Sequence, residues 1–75
     1  MRMKIKCEKR IEELEVGDCL KRKDKCEYVT VQSEYFFDNS PEDIFVMFGG
    51  YSVPKKYLMN FFINNEHGHL FIYGE

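Results

Sequence analysis

Cys19, Cys26, His67 and His69 are the side chains of this sequence best suited to hold a metal, since thiolates and imidazoles together make tetrahedral zinc sites. Their spacing argues against one. Six residues separate Cys19 from Cys26, which fall on opposite arms of an expected hairpin, whereas structural zinc ligands come in tight pairs. Gly68 between the two histidines reads as turn chemistry. We therefore expect ordinary thiols and surface histidines, with no metal and no other cofactor. Nucleophilic catalysis needs a thiol or hydroxyl beside a base and a third group to orient it. Three Cys, four Ser or Thr and two His are present, but in no local signature. The adjacent carboxylates Glu12 and Glu13, and Glu42 and Asp43, suit a solvated surface better than acid and base work across a substrate. Gly49-Gly50 lacks the lysine and helix start of a phosphate loop and is expected to terminate a strand. The chemistry on offer points away from an enzyme.

Lys21, Arg22, Lys23 and Lys25 cluster where a hairpin tip is expected, and the many aromatics could stack bases, as in barrels that bind single strands. A nucleic-acid-binding β-barrel using this basic hairpin is the alternative reading. Charge balance opposes it. The net charge is −2; residues 1 to 25 hold nine Lys or Arg against six Asp or Glu, and residues 26 to 50 hold none against five. A chain dipolar in this way steers toward a charged partner, but it lacks the broad positive surface of a phosphate binder.

The elements that would position these groups are short. Met3 to Lys9 alternates apolar and charged residues, as a half-buried strand does. Ile11 and Leu14 then suggest one helical turn before a tight bend at Gly17. Cys19 to Arg22 and Cys26 to Phe37 form the expected hairpin, and Asp38 to Asp43 a polar loop. Ile44 to Phe48 is a continuous apolar run expected to be a central strand. Pro54 into Asn60 should be a short helix, with Tyr57, Leu58, Phe61 and Phe62 at helical spacing. After a turn at residues 64 to 68, His69 to Tyr73 closes the chain as a strand. The fold class expected is mainly β with one short helix: a small, partly open barrel or strongly bent antiparallel sheet.

Seventy-five residues make a single domain, 1–75, marginal enough that association with a partner or a second copy would help it. Nothing at the start opens into an apolar run, no stretch would span a bilayer, and three cysteines without framework spacing suit a reducing compartment. A cytoplasmic protein is expected. Its richest signal is aromatic: five Tyr, seven Phe and no Trp, spread over both strand parities. Val29, Val31, Tyr35 and Phe37 share one parity against Tyr28 and Phe36, and Ile44, Val46 and Phe48 oppose Phe45 and Met47. One face would line the core; the other is either covered by the helix and the Ile11 turn or open to a partner.

The stretch from Ile11 to Asp18, its Leu14-Glu15-Val16-Gly17-Asp18 above all, followed by a hairpin and later by Val53 to Phe61, resembles small SH3-like barrel proteins, many of them uncharacterised phage or mobile-element products. The resemblance implies a barrel that binds and modulates a host factor. The acidic loop before Ile44 and the strand after the helix depart from that pattern, so no binding residue carries over. The contact expected from the residues themselves is a protein-binding or self-association surface. Tyr28, Phe36, Phe45, Met47 and Tyr73 would form it, with Asp38, Glu42 and Asp43 offering charge to a basic partner.

Overall fold

The computed structural model describes residues 2–36 and 44–75, with the side chain of Phe36 outside the described part. Six strands, β1 (Lys4–Lys9), β2 (Cys19–Lys21), β3 (Tyr28–Phe36), β4 (Ile44–Phe48), β5 (Tyr51–Pro54) and β6 (Leu70–Gly74), join in one antiparallel sheet of order β1-β6-β2-β3-β4-β5. The sheet does not close on itself, as expected of a partly open barrel or bent sheet. A 3-10 turn at Lys55–Tyr57 runs into the single short helix, α1 (Leu58–Phe61). No helix among the described residues is long and apolar enough to cross a membrane.

One face of the sheet makes the core. Cross-strand partners share a face, so Leu20 with Val29, Val31 with Phe48, and Val46 with Val53 line it together. Leu14, Leu58, Phe62, Leu70 and Ile72 complete the cluster, and the Phe48 and Phe62 rings meet at 5.0 Å. Leu58 and Phe62, four apart, are the inward stripe of the helical segment, leaving Tyr57 and Phe61 exposed one step round the turn. The helix therefore covers the core face of the sheet. Segment 62–64 is then strapped between diverging strands. Ile63 N–H donates to the Lys21 carbonyl, and Phe71 N–H to the Ile63 carbonyl.

The corner before β2 explains the Leu14 to Asp18 stretch. Leu14 is buried, and Glu15 to Asp18 is a turn closed by Asp18 N–H on the Glu15 carbonyl at 3.1 Å. Gly17 sits at its third position with φ +99°, which a type II turn requires and a side chain resists. The Asp18 carboxylate accepts from Glu15 N–H at 2.9 Å and from the Lys9 ammonium at 2.9 and 3.1 Å. Backbone bonds between Gly17, Asp18 and Val31 then dock the corner on β3.

Four elements differ from the sequence expectation. Tyr51 to Pro54 is a strand, and Gly49-Gly50 is the two-residue connection of a β4–β5 hairpin in which Phe48 faces Tyr51. β4 is an interior strand, next to the edge. β1 is exposed from Lys4 to Glu8 because it is an edge strand whose register slips between Ile5 and Cys7, setting those two residues on opposite faces. β3 slips likewise between Val31 and Ser33. Beyond that bulge the parity reverses, so Tyr35 leaves the face of Val29 and Val31. The loop expected at Asp38 to Asp43, and Phe37, lie outside the described residues.

Candidate functional site

The face opposite the core is where the strands present their remaining side chains. From β2 to β5 it carries Cys19, Lys21, Tyr28, Thr30, Ser33, Tyr35, Phe45, Met47, Ser52 and Pro54. One of these ten is charged. A chain 32% charged, with no charged side chain in its described core, would place about three or more charges on ten surface positions. No described helix packs over this face; α1 lies on the other.

Two aromatic clusters stand on it, with Cys19, Thr30 and Ser33 between them. At one end the Tyr28 and Tyr73 rings meet edge to face at 5.3 Å, Lys21 Nζ lies 5.5 Å from the Tyr28 centroid, and Ile5 stands across from Tyr73. At the other, Tyr35 stacks on Phe45 at 5.5 Å, and its hydroxyl pairs with Ser52 Oγ at 3.3 Å. Ile5, Tyr28, Tyr35 and Met47 are 53, 39, 38 and 39% exposed, large values for apolar or aromatic groups in so small a domain.

Of the residues expected to make the contact, Tyr28, Phe45 and Met47 share this face and are reachable. Tyr73 is a correction. It belongs to the face but is only 9% exposed, packed against Tyr28, and burial raises its phenol pKa above the ordinary value. The register pairs Phe36 with Ile44, one step out of phase with Tyr35 and Phe45. Asp38, Glu42 and Asp43 lie outside the described residues. Tyr35, Ile5 and Ser52 are additions that simple alternation missed; the signal for Tyr35 was the polar Ser33 on a parity otherwise apolar.

The basic hairpin is less basic in space than in sequence. Arg22 bonds Asp24 at 2.7 Å, lies 3.6 Å from Glu27 and sits over the Tyr51 ring at 5.6 Å, while Lys21 lies against Tyr28. Lys23 and Lys25 remain exposed in the connection between β2 and β3. Two cations beside an acidic pair make a poor track for a phosphate backbone.

The four metal-type ligands are dispersed. Cys19 is on the outer sheet face, Cys26 is exposed in the β2–β3 connection, and His67 and His69 flank Gly68 before β6, with His69 Nδ1 3.3 Å from Glu8 Oε1. Among the described residues no three such groups come together to hold an ion. Burial raises the Cys19 thiol pKa, partly offset by a hydrogen bond with Thr30.

The chain was compared with protein-family models, curated proteins and solved structures. None matches. The functional reading therefore stands on the geometry of this face.

Proposed function

We propose that the chain is a non-catalytic protein-binding module that docks its charge-poor β2–β5 face on a protein partner. The observation that carries this is the depletion of charge, one cation in ten positions, on a face set with Tyr, Phe and Met. Interface centres have this composition, aromatics and methionine enriched and carboxylates and lysines reduced. Tyr28, Tyr35 and Met47 are the anchors, because each combines a large apolar body with more than a third of its surface exposed. The partner presents an apolar patch edged with basic side chains. Asp38, Glu42 and Asp43 support that edge, since in the sequence they join the strand ends that carry Tyr35 and Phe45. The SH3-like resemblance to mobile-element products supports a host factor as that partner. The mechanism is occlusion by contact, with no bond made or broken.

The test compares wild type with Met47→Glu and Tyr28→Glu, which place a carboxylate in each aromatic cluster at positions exposed enough to leave the fold standing. Affinity purification from the native host should recover a partner with wild type, and each variant should weaken it at least ~tenfold. Recovery by all three alike overturns the proposal. So does a wild-type chain that binds nothing and stays monomeric in light scattering.

A further inference from the structure

A groove of about 650 Å³ lies between the 3-10 turn Ile11–Glu13 that follows β1 and the helical segment after β5, bounded by the turn before β6. It shares no residue with the aromatic face. Ile11, Ile44 and Met59 give it an apolar floor, and Ile11 and Met59 are packed against the core. Around it stand Arg10, Lys55, Lys56 and His67; Glu12 is the one acidic side chain lining it among the described residues.

The cations are not equally engaged. Lys55 is held by Glu34 at 3.0 Å and Arg10 by Glu13 at 3.3 Å, the latter an exposed pair that solvent screens. Lys56 meets no described carboxylate, and its ammonium rests 5.3 Å from the Tyr57 ring centroid. An apolar floor lined by an ammonium that meets no carboxylate among the described residues, and by a guanidinium in a screened pair, is complementary to one kind of small molecule. We infer that this groove binds a small amphipathic carboxylate, its hydrocarbon body on Ile11, Ile44 and Met59 and its carboxylate on Lys56 and Arg10. The volume matches that of small-ligand sites, and the unbranched Met59 adapts to the body it meets. A cationic ligand of the same shape would set like charge against Lys56 and Arg10.

The test is a two-dimensional NMR titration of the 15N-labelled full chain with octanoate and, separately, octylammonium. Octanoate should move the Ile11, Lys56, Met59 and Gly68 amides to saturation and leave Thr30 and Met47 still, while octylammonium moves none of them. Lys56→Gln should weaken octanoate about fivefold and Lys25→Gln not at all, each variant first showing the wild-type spectrum. Non-saturating shifts, an equal response to both compounds, shifts centred on Thr30 and Met47, or affinity unchanged in Lys56→Gln overturn the inference. The partner-binding proposal is tested separately, by partner recovery with Met47→Glu and Tyr28→Glu, so either proposal can fail while the other stands.

Discussion

Replacing Asp18 by Asn is the sharpest probe of how this small sheet is held at its corner. The carboxylate ties one strand to a turn: it takes two contacts from the Lys9 ammonium, at 2.9 and 3.1 Å, and the Glu15 N–H at 2.9 Å. Asparagine keeps one acceptor oxygen for Glu15 but loses the charge facing Lys9. The two side chains are 20% and 14% exposed, so the pair lies between two measured extremes. Exposed pairs contribute under about 1 kcal/mol, and breaking fully buried ones costs about 3 to 5. We expect about 2 kcal/mol, or about 10 °C in Tm for a domain this size. Thermal and urea unfolding by circular dichroism measure it. A cycle with Lys9→Met should return a coupling of about 1 kcal/mol or more. Alkali supplies an independent check. The hydrogen bond that Lys9 donates to Asp18 raises the Lys9 pKa above its ordinary value, against an opposing desolvation. A raised folded-state pKa means the contribution is full below the unfolded lysine value and is lost as pH rises through the folded one. Wild type should therefore lose its advantage over Lys9→Met only in strong alkali. A Tm loss under about 2 °C, or a coupling near zero, would refute the claim that this pair fastens the corner.

Phe62→Ala removes a fully buried ring packed on Phe48 and should cost about 3 to 5 kcal/mol in urea unfolding; under about 1 would place the core elsewhere. Gly17→Ala should cost about 1 to 2 kcal/mol from backbone strain alone, since nothing lies within 4 Å of an added Cβ, while Gly50→Ala, outside the left-handed region, should be near neutral. Equal effects would contradict the type II turn. Burial raises the Tyr73 and Tyr51 phenols, so both should ionise later than free tyrosine in an absorbance titration. Tyr73→Phe should remove one late step, and the folded state should weaken as pH passes the unfolded tyrosine value. Retention on single-stranded DNA at low salt should be slight, given that Asp24 and Glu27 hold Arg22; strong retention that falls steeply with salt would revive the basic hairpin as a binding site.

What could be read without coordinates was local. The Leu14 to Asp18 corner, the β2–β3 hairpin, the Ile44 run and the final strand each carry their signal in a few neighbouring residues: a glycine where φ must be positive, a run of β-branched and aromatic side chains, a turn rich in Asn and Gly. Gly49-Gly50 ends β4 as the sequence reading expects, but two glycines look alike whether a strand stops or folds back, and only pairing with β4 makes Tyr51 to Pro54 a strand. The Lys9–Asp18 pair was invisible because sequence distance says nothing about which edge meets which corner.

The bulges matter most for function. Alternation assigns a face only while the register is unbroken, and two of the six strands break it, between Ile5 and Cys7 and between Val31 and Ser33. Without the second slip Tyr35 would stand on the core side with Val29 and Val31, away from the face that carries Phe45. One extra residue in β3 thus extends the charge-poor face past Thr30 to the Tyr35 end of the strand. The bulge spends regular pairing to move an aromatic outward, a placement that the core does not need, since Val46, Phe48, Val53 and Phe62 fill the inner side without it.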